Sequence, residues 1–304
     1  MDVRSQVSAA VHEALAVSHP ELQTLVVTGA DRVTWLNGML TCDLVKRPAE
    51  GGAVYGLAVA RTGRVMTDVV VVPDEARALV VVPAVVVAAL RTHLDHYLVM
   101  EDVELAAGSV GFDVWALHGP GSPQALEAAR AAGGVGGQLD RTGLGGAVVL
   151  APRDRSGEVR AALARVATLG DDAGWEALRL DRAVPRFGVD FDDKTYPQEA
   201  QLEKRAVSFD KGCYLGQEVV CMLELRGHVK RKLVLVVVEG GEPPVRGAPV
   251  TDEAGASVGE VTSAGASPTL GKPVVLAMVK RALAQPGTHV LVAGVRAEVV
   301  DPPT

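Results

Sequence analysis

The segment Ser208-Phe-Asp-Lys-Gly-Cys-Tyr-Leu-Gly-Gln-Glu218 is the most informative stretch of the chain. Asp210 and Gly212 are residues that favour a turn. The apolar residues within 219–223 then recur at helical spacing. Cys213 is therefore predicted to lie at or just before the N-terminus of a helix.

Two interpretations of Cys213 follow from these residues. The helix dipole and the neighbouring Lys211 would both favour a thiolate, which predicts a reactive and accessible group. Gln217 lies four residues further on, so its amide could reach a ligand held at the sulfur. Alternatively, Cys213 is a buried cysteine that packs as a small hydrophobic residue. The chemistry alone does not decide between them.

Outward from this segment, the pattern alternates between strands and helices. Residues 54–60 and 65–72 read as a hairpin with a central glycine. Residues 5–17 have the apolar spacing of a helix, and the glycine-rich stretch 133–137 reads as a loop. After residue 226, short strands separated by Gly and Pro indicate a small β-barrel. The fold class predicted from these patterns is α+β.

Composition restricts the kind of protein. The 304 residues carry a net charge of -7 with 48% hydrophobic residues, so bulk attraction to nucleic acid or to anionic lipid is not expected. A local basic cluster, residues 226–232, either binds an anion or forms a solvated turn. The chain has neither a signal-peptide h-region nor an apolar run of membrane-spanning length, which predicts a cytoplasmic protein without a membrane segment.

The cysteines support the same prediction. The chain has three, Cys42, Cys213 and Cys221, and an odd, low count is not typical of a secreted disulfide scaffold. They have no C-x-x-C spacing, and His93 and His96 have no evident third ligand, so no metal site is expected. Cys42 and Cys221 are interpreted as core residues.

The segment 211–218 also matches a family signature. K-G-C-Y-x-G-Q-E is complete here, and with it the chain resembles the YgfZ family, which is similar to the aminomethyltransferase (T-protein) of the glycine cleavage system. Weaker matches follow in the expected order at residues 25–31, 35–41, 63–68, 196–200, 206–209, 259–263 and 267–268. The resemblance favours a functional Cys213.

The resemblance implies an architecture. It predicts two ferredoxin-like α+β domains of the aminomethyltransferase folate-binding type and a C-terminal β-barrel, arranged as a ring. The corresponding boundaries are 1–105 with 175–225 for the folate-binding domain, 106–174 for the second domain, and 226–304 for the barrel. A folate site is expected near the central opening, since clefts between domains commonly bind ligands.

The resemblance also implies a function. It predicts a tetrahydrofolate-binding protein that supports assembly or repair of iron–sulfur clusters in client enzymes, including enzymes that modify tRNA. The candidate chemical residues are Cys213, Lys211, Gln217 and Glu218, and the candidate folate-binding residues are Asp68, Arg141, Tyr214, Glu199 and Arg226. The expected partners are a folate and iron–sulfur client proteins, with no direct contact to nucleic acid, and the protein is expected to be a monomer.

Two alternatives remain open. The first is a tetrahydrofolate-dependent aminomethyltransferase, in which an aspartate after the hairpin contacts the folate. Asp68 occupies the matching position, and a carboxylate in an apolar strand needs a partner or a raised pKa. Asp68 could then hold a pterin N–H or move a proton, unless it lies on the solvated face of the strand. The second alternative is a non-catalytic folate-binding regulator with a structural Cys213.

Three departures from the related patterns bear on this choice. The transferase has Arg-Thr-Gly-Tyr-Thr-Gly-Glu where this chain has residues 141–147, so Leu144 replaces its tyrosine and Ala147 replaces the glutamate that grips the pterin. Alanine cannot accept the hydrogen bonds that a carboxylate accepts from an aminopyrimidine. Residues 219–222, Val-Val-Cys-Met, replace a segment that ends in Ala-Arg in YgfZ proteins, and Arg226 is the candidate substitute for that arginine.

Overall fold

The computed structural model describes residues 1–46, 52–106 and 111–303. The first part of the chain forms α1 (Val3–His12), β1 (Leu15–Ser18), β2 (Leu22–Thr28), α2 (Arg32–Met39), β3 (Val54–Val59), β4 (Val65–Pro73), β5 (Ala78–Pro83), α3 (Val87–Asp95) and β6 (Glu104–Ala106). The middle part forms β7 (Phe112–His118), α4 (Ser122–Ala131), β8 (Val135–Gln138), β9 (Gly146–Pro152), α5 (Ser156–Leu163), β10 (Thr168–Gly170) and α6 (Asp172–Asp181).

The last part of the chain as described contains two short α-helices and the remaining strands. These are α7 (Glu203–Ala206), α8 (Gln217–Leu225), β11 (Arg231–Val238), β12 (Pro249–Thr251), β13 (Ser257–Ala266), β14 (Pro273–Lys280), β15 (His289–Val292) and β16 (Val295–Val300).

The first sheet has the strand order β3-β4-β5-β2-β6. The sequence β2-α2-β4-β5-α3-β6 is a ferredoxin-like βαββαβ unit, and β3 extends it at the edge beyond β4. The β3–β4 hairpin predicted from the sequence is present, with Leu57 paired to Asp68. Asp68 thereby lies on a central part of this sheet.

The second sheet has the order β10-β1-β7-β9-β8. The unit β7-α4-β8-β9-α5-β10 repeats the ferredoxin-like pattern, with β1 inserted parallel to β10 and antiparallel to β7. The mixed α and β fold class is confirmed, and β1 connects the start of the chain to the second sheet. The predicted domain boundaries stay predictions, and the one after residue 105 falls beside residues 107–110, which lie outside the described residues.

Two local predictions were wrong. The helix predicted over residues 5–17 ends at His12, and Leu15–Ser18 is a strand because its apolar side chains are buried between β7 and β10. The glycine-rich stretch 133–137, predicted as a loop, contributes β8, which pairs with β9. Short apolar or glycine-rich runs fit several local conformations, so pairing with neighbours decides among them.

Strands β11 to β16 close into a barrel in the order β11-β14-β13-β12-β15-β16, as the sequence predicted. Helix α6 links the barrel to the rest of the molecule, because it packs on α1 and also on β13 and β14. Leu180 of α6 joins an apolar cluster with Leu233 and Leu276 of the barrel. The two sheets meet where Val81 packs near Val148, and a central cavity is lined by both sheets and by the segment after α6.

Candidate functional site

The central cavity lies between the two sheets and has a volume of about 290 Å³. Its walls are mostly apolar, with contributions from β2, β4, β5, β7 and β9 and from the segment that follows α6. A few polar side chains also face it, among them Asp68, His118, Arg141 and Arg186. A concave, largely apolar site with few polar groups is typical of small-molecule binding.

Asp68 lies in the wall of this cavity and is mostly buried, with 13% of its side chain exposed. The Tyr55 hydroxyl donates a hydrogen bond to Asp68 Oδ2 at 3.1 Å, and Arg141 Nη2 lies 3.6 Å from the same oxygen. Burial raises the pKa of Asp68, although Arg141 and Tyr55 oppose this effect. Asp68 therefore takes up a proton at a higher pH than an exposed carboxylate does.

Arg141 comes from the loop between β8 and β9. The loop turns around Asp140, whose carboxylate accepts hydrogen bonds from the backbone N–H groups of Thr142, Gly143 and Gly145. The Arg141 guanidinium lies over the Tyr55 ring, 4.4 Å from its centroid. Asp68 and Arg141, which the sequence had marked separately, are thus brought together, with Tyr55 as an unpredicted third member.

The opposite wall contains a histidine that the sequence did not mark. His118, at the end of β7, stacks on Trp175 of α6 with ring centroids 4.8 Å apart. Burial lowers the pKa of His118 to about 3, so the imidazole is neutral. Its Nε2 forms no hydrogen bond among the described residues. The sequence signal was weak, since a histidine ending an apolar strand is more often structural.

Ala147 also lines the central cavity and is buried. It lies on β9, where Leu117 of β7 is its partner across the sheet. Its methyl group offers no acceptor, so polar recognition in this cavity depends on the surrounding side chains, chiefly Asp68 and Arg141.

A second cavity, called here the intermediate cavity, adjoins the first and has a volume of about 270 Å³. The two cavities share the lining residues Leu139, Arg141 and Pro185. Arg205 lines the intermediate cavity as well. The charged lining of this cavity is mixed, since Lys46, Asp43 and Asp140 also face it.

Cys213 lies outside both cavities. It is exposed, has a free thiol, and precedes Gln217, the first residue of α8, by four positions. The helix N-cap is Gly216, so Cys213 lies in the segment before the helix, as predicted. Exposure contradicts the interpretation of Cys213 as a buried hydrophobic residue.

Lys211 is buried and is therefore not an exposed cation beside the thiol. Its buried ammonium donates hydrogen bonds to the carbonyl oxygens of Asn37 at 2.5 Å, Leu40 at 2.8 Å and Cys42 at 2.6 Å. Burial lowers its pKa to about 8. These contacts fasten the 208–216 segment to the C-terminal end of α2.

The other residues of the signature support the segment's shape. Gln217 Oε1 accepts a hydrogen bond from the Tyr214 backbone N–H at 3.2 Å. Tyr214 is buried in an apolar cluster, and its hydroxyl, which forms no hydrogen bond among the described residues, lies near the half-buried Cys221. Glu218 is exposed in the first turn of α8. None of these residues is among those described as lining the central cavity.

The last two candidates, Glu199 and Arg226, lie elsewhere. Glu199 accepts a hydrogen bond from Arg231 Nε at 3.0 Å and another from the Tyr196 backbone N–H at 3.0 Å, so it ties its loop to the barrel. Arg226 is exposed and follows the end of α8. Neither residue lines the central or the intermediate cavity as described.

Cys42 is buried, and burial raises its pKa to about 11, which makes its thiol unreactive. Within residues 1–46, 52–106 and 111–303, no group of three or more His, Cys, Asp or Glu side chains is arranged to hold a metal ion. In the same part of the chain, no helix has the length and apolar character needed to cross a membrane.

Comparison with known proteins places this geometry in context. Residues 3–133 match the family model of the GCVT N-terminal domain. Residues 231–304 match that of the glycine cleavage T-protein C-terminal barrel domain. The glycine cleavage system aminomethyltransferase T from Bartonella henselae has the same fold, with a TM-score of 0.82 at 21% identity over 99% of this chain and 89% of that one.

Two curated relatives are similar in sequence. The aminomethyltransferase of Thermotoga neapolitana is 29% identical over 293 residues, which cover 87% of this chain and 77% of that protein. That of Rippkaea orientalis is 39% identical over 113 residues, which span only 37% of this chain and 30% of that protein. Residues 3–133 and 231–304 are therefore similar to the N-terminal and C-terminal barrel domains of glycine cleavage T-proteins, and the chain has an aminomethyltransferase-like fold.

Proposed function

We propose that this protein binds a tetrahydrofolate in the central cavity and acts on it as a one-carbon transferase of the aminomethyltransferase type. The observation that carries the proposal is the buried Asp68, held by Tyr55 and Arg141 in the wall of an apolar cavity. The named relatives, which are aminomethyltransferases, give further support.

The chemistry assigned to these residues is binding and proton transfer. Asp68, with its raised pKa, holds an N–H at the reacting edge of the pterin or exchanges a proton there. Arg141 keeps the carboxylate oriented and offers a cation to the part of the ligand that leaves the cavity. The apolar walls exclude water from the ring, which strengthens these polar contacts.

The test separates binding from turnover. Tetrahydrofolate binding is measured by calorimetry, and folate-dependent transfer from an aminomethyl donor by product formation. Asp68→Asn keeps one acceptor and the side-chain shape but cannot take the proton, so turnover should fall by about 10²–10⁴-fold. Binding should change by less than about tenfold, because one charge-assisted hydrogen bond is replaced by a neutral one.

Cys213→Ser is the matched control, because Cys213 lies outside the cavity. It should leave binding and turnover unchanged. Full turnover by Asp68→Asn, or loss of turnover in Cys213→Ser, would contradict the transferase proposal.

A second candidate function is favoured by one observation, the exposed free thiol of Cys213 within a complete K-G-C-Y-x-G-Q-E signature. We propose as the alternative that the folate-binding protein supports iron–sulfur clusters in client enzymes through Cys213. In cells that lack the protein, rescue of an iron–sulfur tRNA-modifying enzyme by the wild type but not by Cys213→Ala would support it. Equal rescue by both would remove the thiol from the mechanism.

A further inference from the structure

His118 is a polar residue of the central cavity that the proposed transfer chemistry does not use. It is the last residue of β7, and Val114 and Ala116 of the same strand also line the cavity. Side chains two residues apart on a strand point to the same face of the sheet, so the imidazole lies on the cavity side of the second sheet. Only 4% of the residue is exposed.

The orientation of the imidazole is fixed by its neighbours. The His118 ring is stacked on the buried Trp175 of α6, with ring centroids 4.8 Å apart and an angle of 10° between the planes. His19 packs edge-on against the same indole, with ring centroids 5.6 Å apart. A ring held in this way loses little conformational freedom when a ligand binds to it, which favours its use in recognition.

The charged and imidazole side chains around His118 already have partners. Asp68 is held by Tyr55 and Arg141. The others, which form hydrogen bonds or ion pairs with one another or with Glu176, are His19, Glu21 and Arg186. His118 differs from them, because its buried Nε2 forms no hydrogen bond among the described residues. A buried polar atom without a partner is costly, so this nitrogen is available to a ligand.

The missing partner of His118 is a hydrogen-bond donor. Burial lowers the pKa of His118 to about 3, and the positive charges of His19 and Arg141 act in the same direction. A neutral imidazole keeps one nitrogen as an acceptor, whereas an imidazolium has none. The cavity already contains donors in its arginines, while Ala147 offers no acceptor. An N–H group of the ligand on this side therefore finds its acceptor at His118 Nε2.

We propose that His118 Nε2 accepts a hydrogen bond from the exocyclic amino group of the pterin ring, which makes His118 a specificity-determining residue of the central cavity. This inference rests on the proposed folate binding and extends it, because it names the residue that selects rings with this amino group. Asp68 belongs to the first sheet and His118 to the second, so they contact opposite edges of one ring. Asp68 faces the reacting edge, and His118 faces the aminopyrimidine edge.

The test compares two ligands on the full-length protein by calorimetry under anaerobic conditions. One is tetrahydrofolate, and the other is 2-desamino-tetrahydrofolate, in which a hydrogen replaces the exocyclic amino group. The wild type should bind tetrahydrofolate about 10- to 100-fold more tightly, because the analogue leaves the buried His118 nitrogen without a donor. This comparison needs no substitution in the protein.

His118→Phe keeps an aromatic ring against Trp175 but has no acceptor. It should weaken the binding of tetrahydrofolate by about 10- to 100-fold, since the amino group is then buried without a partner. It should bind the analogue as the wild type does, so that its preference between the two ligands falls to about threefold or less. A purely structural effect of the substitution would instead weaken both ligands by the same factor.

His93→Phe is the matched control. The Nε2 of His93 is likewise buried and forms no hydrogen bond among the described residues, but His93 belongs to α3 and lines none of the cavities described. This variant should keep the wild-type preference for tetrahydrofolate. Thermal unfolding at pH 7 confirms that both variants are folded.

Steady-state kinetics separate recognition from proton transfer. His118→Phe should raise KM for tetrahydrofolate while kcat stays within about threefold of the wild type, because a contact made equally in the ground state and the transition state is lost. Asp68→Asn should lower kcat and keep the preference between the two ligands. A fall in kcat without a change in KM for His118→Phe would overturn the assignment of His118 to binding.

The binding outcomes separate this inference from the proposed function. Equal binding of both ligands by the wild type, or a preference that survives in His118→Phe, would overturn the role of His118 and leave folate binding intact. Binding of neither ligand by the wild type would overturn the proposed function and this inference with it.

Discussion

Lys211 and Cys213 are two residues apart, yet the structure places them in different environments. The sequence predicted that Lys211 tunes the thiol, because a nearby cation favours a thiolate. The Lys211 ammonium instead donates to the backbone carbonyls of Asn37, Leu40 and Cys42, at and just beyond the end of α2. The buried Lys211 side chain holds the segment against the end of α2, whereas the Cys213 thiol remains exposed.

We therefore expect Lys211→Met to lower the free energy of unfolding by about 2–4 kcal/mol, since buried carbonyls lose a charged donor. Cys213→Ser should change it by less than about 0.5 kcal/mol, as for other exposed substitutions. Urea unfolding measures both. Similar effects of the two substitutions would contradict the anchoring role of Lys211.

His118 leads to a prediction about pH. Its pKa is lowered from 6.5 to about 3 by burial, so between these values the unfolded chain binds a proton that the folded protein does not. The stability that depends on the neutral imidazole is complete above pH 6.5 and is lost as the pH falls. Between pH 7 and pH 5, this proton should lower the free energy of unfolding of the wild type by roughly 2 kcal/mol. His118→Phe, which keeps a ring against Trp175, should not show this part of the decrease.

Urea unfolding of the wild type and of His118→Phe at pH 7 and pH 5 measures the difference. His12→Gln, at an exposed histidine near the end of α1, serves as the control and should follow the wild type. Parallel losses of stability in the wild type and in His118→Phe would show that another group causes the acid sensitivity.

At the scale of elements, the start of α8 is shaped by its contact with the β3–β4 hairpin. Gly216 caps the helix with a φ of 79°, and a Cβ at this position would lie 2.5 Å from the Ala60 carbonyl oxygen. At the hairpin turn, a Cβ on Gly63 would lie 2.8 Å from Val219 of α8. A side chain at Gly216 would meet backbone and one at Gly63 would meet the Val219 side chain, and both glycines have a positive φ, so glycine is favoured at each position.

Gly216→Ala should lower the free energy of unfolding by about 1–3 kcal/mol, because a left-handed backbone and a backbone clash act together. Gly212→Ala is the matched control from the same segment, since its φ is not in the left-handed region and a Cβ there meets nothing within 4 Å. Chemical unfolding compares the two variants. Tolerance of alanine at both positions would mean that the turn is not set by the contact with the hairpin.

At the scale of the whole molecule, a buried ion pair joins α6, the cavity wall and the barrel. Arg179 of α6 donates to Asp190 Oδ2 at 2.9 Å and to Ser263 Oγ of β13 at 2.9 Å. Asp190 also accepts from the Arg186 backbone N–H at 2.9 Å and from Thr262 Oγ1 at 2.6 Å. Segment 185–189, which lines the central cavity, is thereby held against the barrel.

Asp190→Asn should therefore cost about 1.5–3 kcal/mol, because a buried hydrogen bond between charged groups becomes a weaker one, while Glu176 remains as the other carboxylate partner of Arg179. It should also weaken tetrahydrofolate binding, since the cavity wall loses its support. Asp193→Asn, at an exposed carboxylate three residues away, is the control and should change neither quantity. Denaturant unfolding and calorimetry provide the measurements. A stable Asp190→Asn variant with unchanged binding would show that the ion pair does not hold the wall.

The sequence by itself determined the α and β composition, the β3–β4 hairpin and the closing barrel, because periodic burial and turn residues act over short distances. It also marked Asp68 and Arg141, but as separate residues. Only the tertiary structure decided that Tyr55 contacts both of them, that Leu15–Ser18 is a strand of the second sheet, and that Arg205 lines the intermediate cavity. These features depend on which sheet faces meet, and that is set by the packing of residues far apart in the chain.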